Sequence, residues 1–338
     1  MPTQRSAGGR SASHTDGRSG VGAIGADDDG ATRRGFLTGL GAAGAVGLSA
    51  GLGGCVGSVG SVVGADGDDS DGERPVSVLA AGSLQLAFSE GLRAAVDRRV
   101  QVEAHGSVTA ARLVAAGKRD PDVVALADTA LFDRVLPAGW HAAFATNALV
   151  VAYDAESEVG RRVGTAERWF DPLLAGDATL GRTDPDLDPL GYRTLFALNL
   201  ASEYYDRPSL RDALVDPRAV YPETSLLSRF ETGDLDAAVV YRSMAEDRGY
   251  DYVDLPAELD LSDPDRADAY RAASYDLPTG ETVRGGPIAY GAVARRDADR
   301  VAEAFEALVG GEYLGDHGFA VPETFPEYSG DVPRAHRP

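Results

Sequence analysis

Apolar and polar positions over residues 74–330 fall into two alternating textures. The runs "VSVLAAGS" (76–83), "VQVEAHGS" (100–107) and "PDVVALAD" (121–128) predict strands, each followed by apolar residues at helical spacing. Leu84, Phe88, Leu92 and Val96 mark a helix face after the first run. The second leads into "VTAARLVAAG", closed by Gly117, and the third into "TALFDRVL". Strand, turn and helix in succession, three times over, predict parallel strands with crossover helices.

Further along, "NALVVAYD" (147–154), "LDAAVVYRS" (235–243) and "PIAYGAVARR" (287–296) predict strands. Helices are predicted in "AERWFDPLL", "YRTLFALNLASEYYD", "SLLSRFETG" and "ADRVAEAFEALVGG". Residues 254–283 are polar with little periodicity, and Pro-rich coil is expected from Val321, with 331–338 as a tail.

The first 31 residues, dominated by Gly, Ser, Ala, Asp and Thr, cannot bury enough apolar surface to offset ordering entropy. Then "TRRGFLTGLGAAGAVGLSAGLGGC" joins the pair Arg33-Arg34 to an uncharged stretch, 35–54, and to Cys55. It resembles a twin-arginine export signal ending in a lipobox, Leu52-Gly53-Gly54-Cys55, which implies lipidation of Cys55. The alternative is a permanent anchor, since an uncharged stretch of 20 residues just suffices to span a bilayer. The many glycines make it weakly hydrophobic and favour lipidation. Either way residues 1–54 are leader and signal, 55–73 a flexible linker, and the remainder lies outside the cell at the membrane face.

The net charge is −21; 31 of the 32 basic residues are arginine, Lys118 being the exception, and 36 of the 53 acids are aspartate. Such an excess of short, strongly hydrated acids resembles adaptation to very high salt, where a screening length of about 3 Å suppresses self-repulsion. It argues against a nucleic-acid partner. Cys55 is the sole cysteine, which excludes an intramolecular disulfide, a cysteine metal cluster and a cysteine nucleophile in the folded part.

The candidate chemistry sits at two strand ends. Gly82-Ser83 and Gly106-Ser107 each join a strand to a helix start, where free N–H groups, roughly half a positive charge and a hydroxyl suit an oxyanion. The plainer alternative is that each serine caps its helix. Adjacent parallel strands would set both loops where α/β sheets bind ligands.

In order, "AAGSLQLAF", "HGSVTAARLVAAGKRDPDVVALAD", "NALVVAYD", "DPDLDPLGYRT", "AVVYRSMA" and "LPTGETVRGGPIAYG" resemble the molybdate/tungstate-binding proteins of archaeal ATP-binding-cassette importers, over about 75–325. The resemblance implies a type II periplasmic-binding-protein fold: two α/β lobes, each a mainly parallel sheet flanked by helices, with the ligand between them. Lobe I would comprise 74–147 plus 284–330 and lobe II 148–283, with no cofactor beyond the oxyanion, a permease partner and a monomeric state. By position it implies oxyanion contacts from Gly82, Ser83, Ser107, the Asp188-Pro189-Leu190 turn, Glu223 and Tyr241. The turn would act through its backbone, with leucine where relatives often have cysteine.

Carboxylates in an anion site need a reason. At about 4 Å and an effective dielectric near 20, a carboxylate and a dianion repel by on the order of 8 kcal/mol. The resemblance implies that Asp188 and Glu223 instead ligate the tungsten or molybdenum of the oxyanion as hard oxygen donors. Sulfur offers no such expansion, so sulfate is repelled. Alternatively, a carboxylate accepts a hydrogen bond from a protonated oxyanion such as hydrogen phosphate; the competing function is thus a binding protein for another oxyanion, such as phosphate or sulfate. Asp184 and Asp186 read as solvated turn residues, His105 as a lone exposed imidazole, Trp140 and Trp169 as packing. A carboxylate-pair hydrolase using two of Asp122, Asp128, Asp188 and Glu223 is the enzyme alternative; no nucleophile elbow, histidine cluster or phosphate loop accompanies it.

Overall fold

The computed structural model describes residues 74–176 and 178–337; the leader, the twin arginine, Cys55 and the linker lie outside the described residues. Strands β1 (Val76–Ala81), β2 (Val100–His105) and β3 (Val123–Leu126) are parallel, β1 pairing with both others. The side chains of β3 are buried throughout, as a continuous apolar run in a covered parallel strand requires. Helix Ser107–Ala115 follows β2 and stops where Gly117 takes φ +65°, a value glycine adopts freely.

β4 (Trp140–Thr146) leads directly to β5 (Leu149–Tyr153), and the chain there passes from one sheet to another. The second sheet holds β6 (Leu180–Thr183), β7 (Val220–Tyr221), β8 (Ala237–Tyr241) and β9 (Tyr252–Asp254) besides β5, in the order β7-β6-β8-β5-β9. A small hairpin, β10 (Ser274–Asp276) with β11 (Thr282–Arg284), precedes the return to the first sheet through β12 (Ala289–Ala294) and β13 (Glu327–Gly330). The first sheet is ordered β13-β4-β12-β3-β1-β2. The molecule is thus a two-lobed α/β protein, one lobe per sheet.

Each sheet is mixed, with four of six strands in the first and four of five in the second running the same way. In the first, β12 runs antiparallel to β3 and β4, and β13 to β4; in the second, β5 runs antiparallel to β8 and β9. The antiparallel strands β4, β5 and β12 lie next to the passages between lobes, where strands join by short links rather than crossover helices.

Other elements depart from the periodicity. The single helix expected after β1 is a 3-10 turn (Gly82–Leu84), a wide π turn (Ala87–Leu92) and one short α turn (Arg93–Ala95). Within the π turn the bare backbone of Gly91 lies against the Tyr313 ring, and a Cβ there would meet Cδ2 at 2.3 Å. Coil was expected from Val321, yet β13 pairs with β4, and His336 is buried with its ring stacked 5.3 Å from Trp140. Residues 254–283 contribute buried Leu255, Leu259, Leu261, Tyr270, Leu277 and Val283 to the core.

Candidate functional site

β1 and β2 pair in register from Val76↔Val100 to Ala81↔His105, so Gly82-Ser83 and Gly106-Ser107 emerge as neighbours. Neither helical turn has a side-chain cap, so the capping alternative does not describe these serines. Ser107 Oγ accepts a hydrogen bond from the Ala127 N–H at 2.9 Å, just beyond β3. Ser83 Oγ accepts one from the Tyr290 hydroxyl on β12 at 3.1 Å, and that hydroxyl accepts from Asn147 Nδ2 at 3.3 Å. With each serine oxygen already an acceptor, its own proton is left to donate elsewhere.

The second lobe contributes acids. Asp188 caps helix Pro189–Tyr204, its Oδ1 accepting from the Leu190 N–H at 2.7 Å. Pro189, at the first helical position, has no N–H to leave unpaired. The amide of Leu190 is therefore committed to the cap, and the backbone donor expected of this turn is not available there. Asp188 Oδ2 accepts from no amide or hydroxyl although the residue is 3% exposed; the group it meets is the Glu223 carboxyl. Glu223 opens helix Glu223–Glu231 behind Pro222, is 6% exposed, and has an unpartnered Oε1.

The glycines explain how the lobes meet. A Cβ on Gly82 would lie 2.1 Å from Glu223 Oε2; one on Gly106 would lie 2.6 Å from the Leu187 carbonyl and 3.2 Å from Asp188 Cβ. Only a residue without a side chain permits either approach.

Glu223 is thus set against the Gly82-Ser83 loop and Asp188 against the Gly106-Ser107 loop, and the two carboxyls meet between them. Burial, then the charge of Asp188, pushes the Glu223 carboxyl well above its ordinary value, while the Gly82 and Ser83 amides pull the other way. Burial also raises Asp188, against the Leu190 amide. Two neighbouring buried acids do not both ionise readily, and burial with mutual repulsion raises the pair, Glu223 the more strongly.

Tyr241, the last residue of β8, is fully buried. Its hydroxyl accepts from Arg193 Nη1 at 2.8 Å, so its proton too is free to donate. Arg193 was not among the residues picked out by sequence. It sits in helix Pro189–Tyr204, where 12 residues are buried, and the guanidinium also donates to the Ala127 carbonyl at 2.6 Å. The signal was available: a lone arginine inside "YRTLFALNL" is a charge within an apolar run. Asp128 is its neighbour, 3.6 Å from Nη2, and accepts from the Tyr192 hydroxyl at 2.5 Å.

Asp184 Oδ1 accepts from the Asp186 N–H, an Asx turn, but Asp186 is more than a solvated turn residue. Its carboxylate accepts from the Tyr275 hydroxyl at 2.6 Å and its carbonyl from Arg112 of the first lobe at 2.9 Å. His105 is paired with Glu103 at 2.8 Å and lines a pocket of about 210 Å³ together with Gly106, Thr109, Asp188 and Glu223. Trp140 packs on His336 and Phe305, and Trp169 on Phe170. Asp122, at the opposite end of β3 from Asp128, is tied to Ser77 and Arg300, which leaves it remote from the other acids of the hydrolase alternative.

The chain is similar over 305 residues to a Haloferax volcanii protein provisionally named an ABC transporter molybdenum-binding protein, with 52% identity, covering 89% of this chain and 96% of that one. An uncharacterized solute-binding protein of Halobacterium salinarum is 37% identical, covering 77% and 88%. The molybdate/tungstate-binding protein of Thermococcus kodakarensis is 31% identical, covering 71% and 78%. The model of the bacterial extracellular solute-binding protein family matches residues 76–314. With that match spanning both lobes and the cleft-facing loops, the chain belongs to the bacterial extracellular solute-binding protein family.

Proposed function

We propose that the protein binds tungstate or molybdate outside the cell and hands it to the permease of an ATP-binding-cassette importer. The observation that carries this reading is the meeting of two buried carboxyls, Glu223 at the Gly82-Ser83 loop, whose amides already face a carboxyl oxygen, and Asp188 at the Gly106-Ser107 loop. The names of the Haloferax and Thermococcus relatives support the choice of ligand.

Ser83, Ser107 and Tyr241 donate hydroxyl protons to the oxyanion, each held in orientation by a bond its oxygen already accepts. Gly82 allows the approach, and the Pro189-Leu190 helix start aims Asp188. An anion that only received hydrogen bonds would be repelled by the acids, each unit charge pair at 4 Å costing about 4 kcal/mol at an effective dielectric of 20. Tungsten and molybdenum escape this by accepting the carboxylate oxygens of Asp188 and Glu223 as further ligands, any proton the pair holds passing to solvent. Sulfate has no such route.

Capture by one lobe and closure of the other make the loaded form distinct, and a permease selects it. Export by the twin-arginine route, a lipid on Cys55, a monomeric state and life in molar salt complete the proposal, resting on the motifs and charge of the sequence.

Isothermal titration calorimetry in molar salt, with tungstate, molybdate, sulfate and phosphate, tests the ligand. Tungstate and molybdate are expected to bind and sulfate not; tight phosphate binding with no response to the metal oxyanions would sink the reading. X-ray absorption on the tungstate complex tests the carboxylates, because a strictly four-coordinate tungsten refutes the role given to Asp188 and Glu223.

A further inference from the structure

Arg193 is 4% exposed and its guanidinium fork touches both lobes. One nitrogen, Nη1, donates to the Ala127 carbonyl of the first lobe at 2.6 Å and to the Tyr241 hydroxyl of the second at 2.8 Å. Nη2 lies 3.6 Å from Asp128 Oδ2, and the guanidinium carbon stands 5.9 Å from the centre of the Tyr241 ring. Ala127 reaches the site from its other side, since its N–H is the donor held by Ser107 Oγ. A continuous path therefore runs from the Tyr241 hydroxyl through Arg193 and the Ala127 residue to Ser107, crossing from one lobe to the other.

We infer that Arg193 is a positioning residue that couples closure of the lobes to readiness of the site: it reaches Ala127 and Asp128 only when the lobes meet, while fixing Tyr241 as a donor. This inference rests on the proposed oxyanion function and names a residue through which the site becomes selective for the closed state. An N–H of arginine can only donate, so the oxygen of Tyr241 must accept from it and the phenolic proton must point away. The same bond in a dry setting is charge-assisted, hence stronger than a neutral pair. A cation beside the cleft also offsets the charge brought by a dianion to a place already holding Asp188 and Glu223.

Lysine retains the charge but not the fork, and it cannot satisfy Ala127, Asp128 and Tyr241 together in the same geometry. Loss of a buried charged partner falls mainly on dissociation, because it removes what holds the closed state. A residue that mattered only for folding would instead lower the melting temperature of the ligand-free protein and leave the dissociation rate of the folded fraction unchanged.

The experiment compares the full chain with R193K, R193Q, Y241F and R193K/Y241F in molar salt. Affinity for tungstate is read by calorimetry, dissociation by displacement, compaction by small-angle scattering, and folding by thermal melts. R193Q is expected to weaken tungstate binding on the order of 30-fold or more, chiefly through faster dissociation. R193K is expected to fall between, and R193K/Y241F to lose less than the product of the two single losses, because both act on one hydroxyl. Saturated R193K should also stay less compact than the saturated parent chain. Parental affinity, dissociation and compaction in R193K overturn the inference, as do strictly multiplicative losses in the double variant. If R193Q does not fold, R193K and Y241F carry the same comparison. A parent chain that binds neither tungstate nor molybdate overturns the proposed function and this inference with it, whereas a binding parent with an indifferent R193K overturns only the inference.

Discussion

At the scale of single residues, two acids of this chain titrate in opposite senses for reasons visible in their surroundings. Burial works against the charge of Asp122, but Arg300 and Ser77 outweigh it and hold its carboxyl below the ordinary 3.8. Its contribution to stability is present above that value and lost as pH falls through the lowered one. Glu223 is raised by burial and by Asp188, so the ligand-free protein is favoured while Glu223 keeps its proton and loses stability as pH rises above 4.5. Thermal melts across pH are expected to show both: D122N flattens the acid limb, and E223Q removes the loss on the rising side. An E223Q profile that coincides with the parent above pH 4.5 would contradict the raised carboxyl of the buried Glu223. Sequence made the acids, the serines and Tyr241 legible because each sits at a recognisable strand end or helix start. Arg193 escaped because its importance lies in the residues it meets, Ala127 and Asp128, which are 66 and 65 positions away and belong to the other lobe.

Among elements, legibility followed the strength of the pattern. The Val-rich runs of β1, β3, β5 and β8 announced themselves, and helix Pro189–Tyr204 stood out by length. β4 did not, since in "WHAAFAT" the alternation of buried Trp140, Ala142 and Phe144 is diluted by alanines that read as either state. β13, "EYSG", is an exposed polar edge strand that owes its existence to β4 beside it. Helix Glu158–Thr165 is mostly polar with two glycines, and is fixed at its start by Ser157, whose hydroxyl accepts from the Gly160 N–H at 2.8 Å. The π turn after β1 supplies an element-scale prediction. G91A places a methyl against the Tyr313 ring, and overpacking of this kind costs about 1–3 kcal/mol, measurable by urea unfolding. G91A/Y313A should recover part of that loss; a fully stable G91A would mean that the turn readily relaxes to an ordinary helix.

For the whole molecule, the charge of −21 predicts a strong dependence on salt. Moving from about 1 M to about 0.1 M salt lengthens the screening distance from about 3 Å to about 10 Å, and like charges then repel across the surface. The melting temperature is expected to fall over that range, and an unchanged value would argue that the acids are already neutralised locally, as Asp120 is by Arg295 and Arg296. The topology carries a separate consequence, for the order in which the molecule can be made. β12 lies between β3 and β4, so the first sheet stays divided until residues 289–294 leave the ribosome, whereas the second sheet uses only residues 149–254. The later-encoded lobe is therefore free to mature first, while the nascent halves of the earlier one wait with apolar faces uncovered. An export route that accepts only finished molecules would then serve as an inspection that the last strands have been laid in.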